Sequence, residues 1–428
     1  MHKSGRSPRL RLLRWGPARA KVDPPGGIAV NHAAHERRTD FQAMKVTIER
    51  AALLRALGHV HRVVERRTTI PILANVLIEA KDGALFLKAT DLDLEISEKA
   101  AADVAQPGAT TLPAHTLYEI VRKLPEGAQV SLDTTPGSSS GSSTRGPGAE
   151  QGQLTLRSGR SRFTLQTLPE SDFPDVTSGE FSHKFTLAPA DLKRLIEKTQ
   201  FAISSEETRY YLNGIFVHVA EVEGRALLRA VATDGHRLAR LELPAPSGSA
   251  GMPGVIVPKK AVGEIQRQIE DAQGEVTIEL SVNKMRFTFG ETVLTTKLID
   301  GTFPDYNRVI PAGNDKRLTV ERDAFARAVD RVSTISSERG RAVKLAVSEG
   351  KLVLSVTNPD QGSAVEELEA DYDGPPLDIG FNAKYLLDIA QQLDSDTALF
   401  KLADPGSPTL IQDRDGANAL YVLMPMRV

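Results

Sequence analysis

Cysteine is absent from the 428 residues. That absence removes disulfides, thiolate nucleophiles and cysteine-based zinc sites, and it is ordinary for a chain kept in a reducing cytoplasm, the expected location. No apolar run approaches the roughly 20 residues that would cross a bilayer, so no membrane role is expected. Charge is nearly balanced, with 53 Lys and Arg against 55 Asp and Glu and a formal net charge of −2. The balance argues against a protein that grips nucleic acid through an overall positive field; any contact with phosphates has to be local and weak. A P-loop is missing too, so energy from nucleotide hydrolysis would have to come from another protein.

What is present is a threefold repetition at intervals of whole domains. MKVTIERAALLRAL from Met44, HKFTLAPADLKRLIEKT from His183 and DKRLTVERDAFARAVDRV from Asp315 each run an alternating strand into an amphipathic helix. Second helices align as AHTLYEIVRKLPEG from Ala114, KKAVGEIQRQIEDAQG from Lys259 and NAKYLLDIAQQLDSD from Asn382. The first two copies also close alike, with Phe-Pro-Asp in LPESDFPDV from Leu168 and in LIDGTFPDYNRV from Leu298. Between the helices lie strand pairs such as VLIEAKDGALFLKATD, where Asp82-Gly83 supplies the hairpin dipeptide. The expected class is α+β, with three tandem domains at 44–175, 180–305 and 313–428, each packing two helices on antiparallel sheets. Repetition of this kind builds an extended surface or a ring, whereas catalysis needs one irregular constellation.

Two segments fall outside the pattern. Residues 1–43, rich in Arg, Pro and Gly, read as a disordered basic leader and a poor secretory signal. Met44 opens the first copy in register with the others, which points to it as the native start; a basic tail that touches DNA is the other reading of the same arginines. Residues 134–152, TTPGSSSGSSTRGPGAEQG, cannot bury a core and read as a long flexible hairpin tip.

Each opening helix pairs an apolar stripe with basic residues. Leu53, Leu57, Val60 and Val64 face inward against Arg55, Arg62 and Arg66; Leu192, Leu195 and Ile196 against Lys193, Arg194 and Lys198; Val329 and Val332 against Arg327 and Arg331. One such face is ordinarily a solvated surface, but its recurrence in equivalent helices suits a continuous anion-facing wall. Signs of catalysis are weak. Asp-Gly-His-Arg at 234–237 reads as a tight turn, and Asp91, Asp93 and Glu95 read as the solvent face of a strand with Leu92 and Leu94 opposite. No catalytic residue, metal or cofactor is expected.

Several motifs carry a resemblance that covers Met44 to the C-terminus. They are TIPILANVLIEA from Thr69, LRSGRSRFTLQTLPESDFP from Leu156, TRYYLNGIFV from Thr208, ATDGHRLA from Ala232, VIVPKK from Val255, DGTFPDYNRVIP from Asp300 and the terminal YVLMPMRV. In these the chain resembles the bacterial DNA polymerase III β subunits, the sliding clamps. The resemblance implies a head-to-tail homodimer closed into a ring of six domains, helices inside, encircling double-stranded DNA without reading its sequence. It implies a non-catalytic processivity factor that serves the polymerase III α subunit, the clamp loader δ subunit, and other polymerases and mismatch-repair proteins that carry clamp-binding motifs. Those partners would dock in a peptide pocket formed by Leu212, Thr233, Gly235, His236, Arg237, Leu238, Pro304, Arg308, Val309, Val422, Met424, Pro425, Met426 and Arg427. For DNA contact it adds Arg67, Tyr210 and Tyr211 to Arg55, Arg62, Lys193 and Lys198. For the dimer interface it implies Arg160, Arg162 and Phe163 on one side and Ile335, Glu366 and Glu367 on the other. The chain departs from the family pattern at Gly362 and Ser363, where a more acidic run would be expected.

Overall fold

The computed structural model describes residues 43–135, 152–176, 179–336 and 341–428. The leader up to residue 42 and the insert from 136 to 151 lie outside the described residues. Among the described residues six α-helices form: α1 (Arg50–Val60), α2 (Ala114–Lys123), α3 (Pro189–Gln200), α4 (Lys259–Glu270), α5 (Arg322–Ser333) and α6 (Ala383–Ala390). They pack in pairs, α1 on α2, α3 on α4 and α5 on α6, one pair to each repeat. The starts have local causes. Pro189 occupies the first turn of α3, where a missing N–H is no loss. Asn382 caps α6 by accepting from Lys384 N at 2.9 Å, and the Glu321 carboxylate caps α5 by accepting from Asp323 N at 3.0 Å.

Strands alternate buried and exposed positions, as in Val276–Leu280 and Ala342–Ser348, and assemble into four antiparallel sheets. Asp82 and Gly83, at φ 51° and 69°, make the two-residue hairpin expected between Asn75–Lys81 and Ala84–Thr90. Two sheets run across the seams between repeats. Thr292–Lys297 of the second repeat pairs with Leu94–Ala101 of the first, Thr292 opposite Glu98. Arg237–Pro244 of the second pairs with Ala419–Leu423 of the third, Arg237 opposite Leu423. The other two sheets end in strands with one neighbour each: Ser161–Gln166 closes the five-stranded sheet and Gly362–Glu369 the four-stranded one. A single apolar cluster extends through all three repeats.

One expectation is overturned. Asp91, Asp93 and Glu95 do not share the solvent face of a strand. The Asp91 carboxylate accepts from the backbone of Asp93 at 2.9 Å and Leu94 at 2.7 Å, Leu92 turns to φ 81°, and the strand starts only at Leu94. The turn shifts the alternation, so Glu95 points inward, 1% exposed, with Lys88 Nζ at 3.4 Å. Burial holds its carboxyl above the usual carboxylate range. Asp91 and Asp93 pair with Lys260 and Lys297 of the second repeat, so these carboxylates tie the first seam together.

Candidate partner cleft and nucleic-acid face

A cleft of about 280 Å³ opens between the second and third repeats. Its floor is Leu212, Leu238 and Val422, all buried, backed by Val231, Phe303 and Tyr306 in a small apolar cluster of their own. Val309 and Met424 line it while exposing 46% and 38% of their surface, apolar area of the kind a partner covers. Thr233, Gly235, Arg237 and Pro304 complete the part that had been expected. Gly235 is favoured there by its φ of 87°, and a Cβ would displace the guanidinium end of Arg209, 2.6 Å away. The Asp234 carboxylate fixes this turn by accepting from His236 N at 2.9 Å and Arg237 N at 3.0 Å.

Sequence reasoning missed Arg209, Asp305 and Tyr306, which also line the cleft, and placed Tyr211 on the DNA side although its side chain is in the lining. Tyr306 follows the repeated Phe-Pro-Asp, which was a usable signal. Its hydroxyl is held by Arg229 Nη1 at 3.1 Å and His218 Nε2 at 3.0 Å. Conversely, His236, Arg308, Pro425, Met426 and Arg427 are not in the lining. His236 O accepts from Met424 N at 2.9 Å, Met426 N donates to Gly380 O at 2.8 Å, and Arg308 Nε donates to Asp305 at 2.9 Å. These residues hold the terminal segment and one wall in place.

Arg237 is the keystone of the wall. Its guanidinium donates to Asp234 Oδ2 at 3.1 Å, to Asp388 Oδ2 of α6 at 2.5 Å and to Phe201 O at 2.6 Å. The Tyr385 and Phe201 rings sit 4.3 and 5.0 Å from its Cζ. One buried cation thus satisfies carboxylates from both repeats that form the cleft.

On the helical side, Arg55, Arg62, Arg67, Lys193 and Arg327 are exposed. α1 ends at Val60, so Arg62 and Arg66 belong to the turn that follows, although Val64 still packs inward as expected. Lys198 corrects the expectation of a displayed cation. It is 8% exposed and donates to Asp394 Oδ1 at 2.5 Å and to the Gln392 carbonyl, because α3 is covered at this point by the third repeat. Tyr210 is 54% exposed, edge-on to Tyr211 at 5.8 Å.

The residues expected at a dimer contact lie on the two end strands or against them. Along Ser161–Gln166, Arg162 is exposed and Phe163 half-buried, and Arg160 is exposed in the turn just before that strand. Glu366 and Glu367 lie on Gly362–Glu369, where Glu366 is held by Arg331 of the same chain and Glu367 by Lys351. Ile335 packs on the core, and its carbonyl accepts from Asn358 Nδ2 at 2.9 Å.

Three two-helix repeats joined by sheets that cross their seams, with open-edged strands in the first and third repeats and an apolar cleft at one seam, define a sliding-clamp architecture. Family models match all three repeats: DNA polymerase III beta subunit, N-terminal domain at residues 44–177, central domain at 186–305 and C-terminal domain at 307–427. The chain belongs to the DNA polymerase III beta subunit family, the sliding clamps that act as processivity factors in DNA replication. It is 55% identical over 385 residues to the beta sliding clamp of Caulobacter vibrioides and 40% identical over 386 residues to that of Escherichia coli K12, covering 90% of this chain and 100% of each relative. Among solved structures it resembles the sliding clamp of Caulobacter crescentus, at TM-score 0.82 and 54% identity. It also resembles that of Bartonella birtlesii bound to griselimycin, at TM-score 0.84 and 53% identity; each covers 90% of this chain and 100% of the other.

Proposed function

We propose that two copies of this chain, each divided at 44–175, 180–305 and 313–428, close head to tail around duplex DNA and tether the replication machinery to it. The observation that carries the reading is a pair of strands, one in the first repeat and one in the third, that each end a sheet with one edge left without a neighbour. Ser161–Gln166 presents Arg162 and Phe163, with Arg160 in the turn before it; Gly362–Glu369 presents Glu366, Glu367, Glu369 and an exposed Val365. Antiparallel pairing of these strands between copies would make a sheet of the same size as the one across the second seam, with opposite charges and apolar side chains in contact. Because each copy offers both edges, two contacts related by a twofold axis close the assembly.

A closed ring holds DNA by topology, so its inner contacts need only be weak. Long exposed cations such as Arg55, Arg67, Lys193 and Arg327 meet phosphates without reading bases, and no register on the duplex is preferred. The cleft takes an apolar linear motif, with Met424 as an adaptable wall. Its occupants are the polymerase III α subunit, the loader δ subunit, and the other polymerases and mismatch-repair proteins that carry such motifs. In this reading the chain works in the cytoplasm as a non-catalytic accessory subunit and needs no cofactor. The test is retention on nicked circular DNA after loading by a bacterial clamp loader, with half the sample then linearised. Survival on the circle and rapid loss from the linear form is the expected result; equal retention on both would overturn the ring.

A further inference from the structure

The first seam carries a second concavity, of about 380 Å³, remote in sequence from the partner cleft. Three helices build it. His61, Arg62 and Arg66 come from the turn after α1, His115 from α2, and Glu264 and Arg267 from α4. Arg267 is paired with Glu264, while Arg62 and Arg66 make no ion pair or hydrogen bond among the described residues. Three guanidiniums against one carboxylate leave the hollow cationic, which disfavours a metal ion and favours an anion.

Backbone carbonyls set the two imidazoles. His61 Nδ1 donates to Leu57 O at 2.7 Å and His115 Nε2 donates to Val64 O at 2.8 Å. A carbonyl only accepts, so those nitrogens carry the protons, and the other nitrogen of each ring is left without a hydrogen-bond partner. His61 is further held by stacking on Tyr118 at 3.9 Å and by the edge of His115 at 5.6 Å. The site is therefore a floor of two hydrogen-bonded imidazoles beside two exposed guanidiniums.

We infer that this hollow is a phosphate station: it seats one phosphodiester of the encircled duplex between Arg62 and Arg66, and a proton taken up by the neighbouring His61 completes the grip. The inference rests on the ring reading. It is compatible with sliding because every phosphate along a strand is equivalent, so a single preferred contact slows the ring without selecting a sequence. Burial, with His115 and Arg62 nearby, holds the His61 pKa below its ordinary value, and Arg267 adds further positive charge offset by Glu264. An anion in the hollow reverses that balance. Binding then takes up a proton and tightens as pH falls.

The experiment measures affinity for a short duplex by fluorescence anisotropy across a salt series at two pH values. It compares the unmodified protein, the double variant Arg62→Gln/Arg66→Gln, and Lys193→Gln/Arg327→Gln. The station predicts that the Arg62/Arg66 variant lowers the slope of log affinity on log salt by roughly 0.9, the effect of one phosphate no longer neutralised. It also predicts that the tightening at low pH disappears in that variant, with unchanged melting temperature and peptide binding. An unchanged slope and pH profile in the Arg62/Arg66 variant, with a lowered slope for Lys193→Gln/Arg327→Gln, would overturn the station and leave the ring standing. No change in either variant would remove the DNA face as well. A parallel titration with inorganic phosphate separates the two anion sources: saturable binding lost in Arg62→Gln/Arg66→Gln, together with an unchanged duplex slope, would make this a free-anion site and overturn the inference.

Discussion

Met424 and Val309 stand at the mouth of the cleft with much of their apolar surface in water. Burying such a side chain against a partner contributes about 1.5–3 kcal/mol. Met424→Ala is therefore expected to weaken a clamp-binding peptide by roughly tenfold or more while the melting temperature stays put, checked by calorimetric titration beside a thermal melt. Arg237 behaves in the opposite manner. Its removal strands Asp388 and Asp234 in a half-buried wall, so Arg237→Ala should cost about 3–5 kcal/mol of folding stability in a denaturant melt, with Arg237→Lys intermediate because the fork to two carboxylates and a carbonyl cannot be reproduced. Much of the cleft was legible at this scale, since Leu212, Leu238, Val422 and Met424 lie in motifs that the sequence displays. Lys198 and Glu95 were not. Helical and strand periodicity place a side chain on a face, but they do not show what covers that face: Asp394 and Gln392 of the third repeat cover Lys198, while the turn at Leu92 swings Glu95 in against Lys88 and the chain near Val176 of its own repeat.

At the scale of elements, the helix pairs and sheets follow from local pattern, while the seams depend on contacts far apart in sequence. His59 near the end of α1 illustrates this. Its Nδ1 meets Glu98, on the strand that crosses the first seam, and its Nε2 meets Asp271, at the end of α4, at 3.1 Å. Glu98 also accepts from Thr292 Oγ1 across the seam at 3.2 Å. The Glu98 hydrogen bond, opposed by burial and helped by Asp271, raises the histidine pKa above its ordinary value. A raised folded-state pKa means that the seam contribution is fully present below the unfolded value of about 6.5 and fades as pH rises through the folded one. The unfolding midpoint should thus drop as pH rises from about 6.5 through the raised folded-state pKa, and His59→Gln should flatten that drop. A melt series in which the variant keeps the full pH dependence would exclude His59 as its source. Periodicity gave no warning of this strut, because a histidine on a basic helix face looks like one more exposed cation.

For the whole molecule, the decisive feature is that two seams are closed within one chain and a third is left open. Internal seams use a continuous sheet plus ion pairs, Lys260 and Lys297 at the first, Lys198 and Arg237 at the second. The open edges carry the same ingredients in separated form: Arg160 and Arg162 on one, Glu366, Glu367 and Glu369 on the other, with Val365 left 69% exposed. Because Arg331 already holds Glu366, pairing between copies has to share that carboxylate or use its neighbours, so the ionic part of the contact is expected to be modest and salt-sensitive and the apolar part to dominate. Val365→Arg tests this directly, since it removes the apolar contact and sets a cation opposite Arg160 and Arg162. Sedimentation velocity should show the dimer dissociating at least tenfold more readily, about 1.4 kcal/mol, with an unchanged melt for the monomer because neither edge strand depends on its partner to fold. Adding Arg162→Glu to Val365→Arg should recover part of the lost association by restoring opposite charges. A dimer indifferent to Val365→Arg at all salt concentrations would mean that copies meet through some other surface, and a ring built from the third seam would then fail.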